Sequence, residues 1–245
     1  IGAAPALLWI TDEMTTLSTI GLDADDTLWQ SEHFFKLTEA RFVELLAEYA
    51  EGADLSARLL QAEKRNLQFY GFGTKGFVLS MIETAIDVTH GQVPAPIIQE
   101  ILGAGREMLQ HPILPLPHVR ETLEKLSGLF RLVLITKGDL FDQERKLAQS
   151  GLGELFHGIE IVSDKNPEAY KRIFNRYGDG PERAVMVGNS LKSDIVPAIA
   201  AGSWGVFIPH ELTWTLEHVA PPTYHPRFKL LNGFNELHEF ITKIS

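Results

Sequence analysis

Thr19-Ile20-Gly21-Leu22-Asp23-Ala24-Asp25-Asp26-Thr27-Leu28 is the stretch whose reading decides the fold. The short apolar run from Ser18 to Leu22 has the character of a buried strand, and Asp26 marks the turn that follows it. Successive strand residues face opposite ways, so Asp23 and Asp25 share one side at the strand's carboxyl end. That end is where open α/β sheets bind their ligands. Carboxylates placed there can ligate a hard cation such as magnesium, attack as nucleophiles or move protons. An isolated acidic pair is more simply a solvated turn, so partners further along the chain have to decide.

Downstream, Ser31 reads as an N-cap, and Phe34, Leu37, Phe42, Leu45, Leu46 and Tyr49 recur at helical spacing. Further helical patterns run from about Asp54 to Phe69, Lys75 to Thr89 and Pro94 to Leu109, separated by Gly52, the glycine-rich 71–76 and the turn 91–94. Four helices without an intervening strand predict a small bundle. His111-Pro112-Ile113-Leu114-Pro115-Leu116-Pro117 ends it, because prolines at this density cannot continue a helix.

The pattern then alternates. Helices are predicted at 118–126, 139–150, 167–177 and 193–201, and strands at 131–136, 158–162, 184–188 and 204–208. Strands spaced by single helices predict an α/β fold with a parallel sheet, into which the helical segment is inserted after the first strand. The expected division is a core of residues 14–30 and 112–245, a helical domain of residues 31–111, and an N-terminal extension over residues 1–13.

Of the 245 residues, 22 are basic and 32 acidic, a net charge of −10 with no basic cluster against it. Such a chain is repelled by phosphodiester backbones, which argues against nucleic acid as a partner. The absence of cysteine excludes disulfides, thiol catalysis and zinc–thiolate sites. No apolar run approaches the ~20 residues a membrane span needs, so a cytoplasmic enzyme is expected. The nine histidines show no metal-ligand spacing.

The later strand ends supply the partners. Thr136-Lys137-Gly138-Asp139 puts a hydroxyl, a cation and a glycine before a helix start, the makings of an anion cradle. Lys165 falls just beyond the next strand, ahead of Asn166 and Pro167, which read as N-cap and N1. Gly188-Asn189-Ser190-Leu191-Lys192-Ser193-Asp194 follows the fourth strand. Singly, each has a plain reading as a solvated lysine, a strand end or a helix cap. All four segments, however, fall at one edge of one predicted sheet.

This set, in this order, resembles the haloacid dehalogenase superfamily of phosphohydrolases over nearly the whole chain from Ser18 onward. Asp23-Ala24-Asp25-Asp26-Thr27 looks like its first motif, with Asp26 where glycine is commonest; Thr136 looks like the second, Lys165 the third, and Gly188-Asn189 through Asp194 the fourth. The resemblance implies a Rossmann-like core with the inserted helical cap of the C1 subclass. It also implies magnesium-dependent hydrolysis of a small phosphate monoester such as a sugar phosphate or nucleotide. Asp23 is then the nucleophile that forms an aspartyl-phosphate, and Asp25 the acid and base. Thr136, Lys137, Gly138 and Lys165 would hold the phosphate. Asp23, the Asp25 carbonyl, Asn189 and Asp194 would serve the metal.

Two features leave alternatives open. The fourth motif usually begins Gly-Asp, so with Asn189 there, Asp194 is either the main side-chain ligand or the residue that orients Lys165. A phosphomutase of the β-phosphoglucomutase kind keeps both acids, and a weakened relative would bind a phosphorylated ligand or protein without turnover. Asp25 separates this chain from the true dehalogenases, which need no proton donor. The aromatic and glycine-rich 69–76 is either a mobile lip over the leaving group or a tight turn with Phe72 in the helical core. Trp204, Trp214 and the run His210 to Trp214 are read as packing. The oligomeric state is left open.

Overall fold

The computed structural model describes residues 16–245, so the reading of residues 1–13 as an extension lies outside the described residues. Four consecutive buried residues, Thr19–Leu22, form β1. Their lack of alternation is what a strand covered on both faces requires. β1 pairs in parallel with β2 (Arg131–Lys137) on one side and β4 (Ala184–Gly188) on the other. With β3 (Gly158–Val162), β5 (Trp204–Phe207) and β6 (Phe228–Leu230) the sheet runs β3-β2-β1-β4-β5-β6, all parallel. The order reverses at β1, and the crevice beyond the carboxyl ends of β1, β2 and β4 is the place such a sheet offers a ligand.

Alternate residues of the central strands feed two cores. Ile20, Leu22, Leu132, Leu134, Val185 and Val187 pack on α5 (Val119–Ser127) and α9 (Leu237–Ile244). Val133, Ile135 and Met186 face the other way, onto α7 (Pro167–Tyr177) and α8 (Val196–Ala201). Gly21 belongs to that second face, where a Cβ would stand 2.8 Å from Ile135 Cδ1 and 3.1 Å from Phe174 Cε1. α6 (Leu140–Ser150) follows β2.

Between β1 and β2, ahead of α5, lie α1 (Glu32–Leu45), α2 (Gly52–Tyr70), α3 (Thr74–Val88) and α4 (Ala95–Gln110). They enclose a separate hydrophobic cluster that includes Phe42, Leu46, Leu55, Met81 and Ile101. Leu37 and Tyr49, expected on the apolar face of the first helix, are exposed. Ser31 is an N-cap by position only, since its side chain caps nothing. The Asp26 carboxylate does that work, accepting from the Ser31 N–H at 2.8 Å and the Glu32 N–H at 3.0 Å. Asp26 adopts φ 61°, which explains why glycine would also suit the position.

Three elements differ from the sequence reading. The helix predicted over 193–201 is a π-helical turn, Leu191–Ile195, running into α8. Pro197 lies in the first turn of α8, where its missing N–H costs nothing. β6 and α9 were not anticipated, because the three-residue β6 is too short to show a period. Among the described residues no helix is long and apolar enough to cross a membrane.

Ile20 is fully buried at the centre of β1. Ile20→Ala is expected to cost about 2–5 kcal/mol in denaturant unfolding. A loss below about 1 kcal/mol would show that the first core does not depend on it.

Candidate active site

The carboxyl edge of the sheet opens onto a cavity of about 190 Å³, and Asp23, Asp25, Thr136, Lys165, Asn189 and Asp194 all line it. Asp23 extends β1, its N–H bonded to the Val187 carbonyl at 2.9 Å. Lys165, from the loop between β3 and α7, donates to Asp23 Oδ1 at 2.5 Å and to Asp194 Oδ1 at 2.7 Å. Its side chain is 2% exposed, so this is a buried ammonium between two carboxylates. Burial alone would lower the Lys165 pKa, but Asp194 and Asp23 raise it above the ordinary lysine value. Asp194 is pushed up to about 7 by burial and by the Asp23 charge, against the pull of Lys165. The raised Lys165 pKa keeps the ammonium charged, while burial and the Asp23 charge work against the ionised form of Asp194.

Asp194 reaches the lysine because Gly188 lets it pass. A Cβ on Gly188 would lie 2.2 Å from Asp194 Oδ2. That oxygen accepts from the Ser190 N–H at 2.9 Å, so both oxygens of Asp194 are engaged by the protein.

Asn189 stands on the other side of Asp23. Thr27 Oγ1 lies 3.0 Å from Asp23 Oδ2 and 3.1 Å from Asn189 Oδ1. With its amide nitrogen turned inward, Asn189 donates to Thr27 Oγ1 at 3.1 Å, Asp23 Oδ2 at 3.2 Å and the Asp25 carbonyl at 3.2 Å. With its oxygen there, the same atoms form an all-oxygen set that a hard cation would satisfy. One carboxylate, one amide and one backbone carbonyl fit magnesium, which takes few protein oxygens and completes its shell with water and substrate phosphate. Among the described residues no cluster of three His, Cys, Asp or Glu side chains is arranged for a metal.

Asp25 lies in a different environment. Its carboxylate accepts from Lys146 Nζ at 2.9 and 3.0 Å, Gln143 Nε2 at 2.8 Å and Trp29 Nε1 at 2.8 Å. Burial alone would raise its pKa, but the Lys146 ammonium and these donors hold it below the usual carboxylate value. Gln143, Lys146, Leu147 and Ser150 make the buried stripe of α6 at helical spacing. Sequence reading passed over Gln143 and Lys146. The available signal was polar residues on a stripe that packing alone would fill with apolar ones.

Thr136 is buried and lines the cavity. Gly138, at φ 145°, leaves room for Gln143, whose Nε2 would be 3.0 Å from a Cβ there. Lys137 lines the same cavity, with its ammonium in an ion pair that the sequence reading did not include. It donates to Glu217 Oε1 at 2.6 Å and Ser193 Oγ at 2.7 Å, with the Phe72 ring centroid 3.9 Å away. Phe72 is therefore not in the helical core but on the cavity wall, as is Trp214, which was read as packing. Trp204 does pack, edge-on to Phe240.

The wall supplied by the four-helix segment carries Glu32, Lys36, Glu39 and Glu63. Burial raises Glu32 and Glu63 to about 7 each; Lys36 lowers both, Glu39 raises both, and the Trp214 indole N–H lowers Glu63. A carboxyl whose folded pKa is raised costs stability once pH climbs from the unfolded value through the folded one. Glu63→Gln should therefore raise the melting temperature at pH 8 and leave it nearly unaltered at pH 5. Equal shifts at both values would show that Glu63 is not desolvated.

The model of the haloacid dehalogenase-like hydrolase family matches residues 17–202. A crystal structure of a haloacid dehalogenase-like family hydrolase from Xanthomonas campestris superposes with TM-score 0.83 and 40% identity, over 94% of this chain and 92% of that one. A glyceraldehyde 3-phosphate phosphatase of Methanothermobacter thermautotrophicus is 26% identical over 80% of this chain and 88% of its own. A HAD-hydrolase of Bacillus subtilis, bound to magnesium, shares the fold at TM-score 0.61 and 18% identity, over 92% and 99% of the two chains.

Proposed function

This chain belongs to the haloacid dehalogenase-like hydrolases, and from that premise we propose that it is a magnesium-dependent phosphatase of a small phosphate monoester. The observation that carries the reading is Lys165 held between Asp23 and Asp194 at the end of β1. A phosphate monoester repels an anionic attacker, so a carboxylate nucleophile needs fixed positive charge beside it. Lys165 supplies that charge from a position that two carboxylates hold still, and a compact ammonium fits there where a planar guanidinium would not.

Asp23 attacks phosphorus and forms the aspartyl-phosphate. Asp25 protonates the leaving alcohol and then takes a proton from the water that hydrolyses the intermediate. Its contacts with Lys146, Gln143 and Trp29 favour the ionised form, which suits the second half of that cycle. For the first half the carboxyl must carry a proton and give up one of those contacts to reach the leaving oxygen. Thr136 donates its hydroxyl to the phosphoryl group. Magnesium, held by Asp23, the Asp25 carbonyl and Asn189, would neutralise charge on the phosphoryl oxygens. That a fold neighbour binds magnesium supports this choice of cation.

A cavity of about 190 Å³ falls below the range for drug-sized ligands and suits a small metabolite. The relative named as a phosphatase of a phosphorylated metabolite supports the reaction class. The four helices act as the cap over that metabolite, hinging at Gln30-Ser31 and His111-Pro112. A protein that only bound a phosphorylated ligand would have no use for the donors gathered around Asp25.

Phosphate release across a panel of monoesters tests the assignment. Release that stops on chelation of magnesium and falls at least ~1000-fold in Asp23→Asn is the expected result. Turnover that survives in Asp23→Asn would overturn it.

A further inference from the structure

The chain after β5 reaches back over the cavity. Glu217 fastens it there, accepting from Lys137 at the end of β2 and from the hydroxyls of Ser190 and Ser193 beyond β4. Lys192 Nζ adds a bond to the Leu216 carbonyl at 2.7 Å. The Lys137 and Glu217 side chains are 16% and 11% exposed, so the ion pair is largely sheltered from water. This fastening sets Trp214 opposite Phe72, ring centroids 6.1 Å apart and planes at 81°. Phe72 comes from the turn between α2 and α3, so the two rings meet across the seam between the helical segment and the sheet.

Packing in the hydrophobic cores does not account for Trp214. Trp204, the neighbouring indole in sequence, is packed against the core that contains Leu237 and Ile241. Trp214 joins none of the three hydrophobic clusters, is half-buried, and lines the cavity that contains Asp23. An indole held in such a place by an ion pair and two serines presents apolar area and an aromatic ring to whatever fills the cavity.

We propose that Trp214 is a specificity-determining residue and Glu217 the residue that positions it, together selecting phosphate esters whose alcohol carries a flat ring over short acyclic ones. This rests on the phosphatase reading above. A ring can lie against the indole with Phe72 on its flank, whereas a short acyclic alcohol offers no face to it. The leaving group departs from phosphorus held at Asp23, so contact with Trp214 is made before and during the reaction alike. Such uniform binding lowers KM and leaves the barrier from the bound state as it was.

The test compares p-nitrophenyl phosphate with glycerol 1-phosphate, with magnesium, in the parent protein, Trp214→Ala, Trp214→Phe and Glu217→Gln. Circular dichroism melting establishes that each variant is folded. Trp214→Ala should lower the ratio of kcat/KM for the aromatic over the acyclic ester by about tenfold, with the loss in the KM of the aromatic ester. Trp214→Phe should recover most of that ratio, and Glu217→Gln should lower it in the same direction as Trp214→Ala. A parallel loss for both esters, an unaltered ratio, or a loss carried by kcat would overturn the inference while leaving the phosphatase reading intact. No phosphate release from either ester in the parent protein would overturn both.

Discussion

One buried ammonium makes the rest of the site possible. Asp23 and Asp194 approach within hydrogen-bond range of the same Lys165 Nζ in a place from which water is nearly excluded. Two carboxylates that close could not both ionise without it, and a buried lysine alone would shed its proton. The ammonium is held charged by the two carboxylates, and it offsets the repulsion between them. The arrangement also dictates backbone: Gly188 has no side chain because Asp194 occupies the space a Cβ would need.

Around that centre the two acids of the first motif are driven apart chemically. Asp23 shares its environment with Lys165, Thr27 and Asn189, whereas Asp25 is clasped by Lys146, Gln143 and Trp29. Different surroundings for two otherwise similar carboxyls are how one site obtains a nucleophile and a proton carrier. Asp26, the third acid of the run, serves neither purpose and caps α1 instead. Three aspartates within four residues thus sit in three different settings, beside Lys165, beside Lys146 and at the start of α1.

The cavity is enclosed from two directions. The four-helix segment contributes Phe72 and a set of partly desolvated carboxyls, and the chain after β5 contributes Trp214 and Glu217. Lys75 of α3 pairs with Asp139 at 2.9 Å, and Asp139 is the residue that caps α6. The helix that holds Asp25 therefore touches the helical segment through its own N-terminus.

What the sequence determined by itself was everything written in short-range pattern. The apolar run before Asp23, the alternation of strands and helices after Pro117, and an acid, a hydroxyl and a lysine at successive strand ends were enough to fix an α/β fold. They also brought Asp23, Asp25, Thr136, Lys165, Asn189 and Asp194 to one edge. Only the tertiary structure decided what those groups touch, because hydrogen bonds between residues far apart in sequence leave no local period. Asp25 meets Lys146 across 121 positions, and Lys137 meets Glu217 across 80. Lys137 illustrates the limit: its place after Thr136 puts it at the sheet edge but says nothing of Glu217, the carboxylate that pairs with it from beyond β5. Trp214 shows the same constraint, since burial against core and exposure to a cavity look identical in a sequence and differ only once the chain has closed around the site.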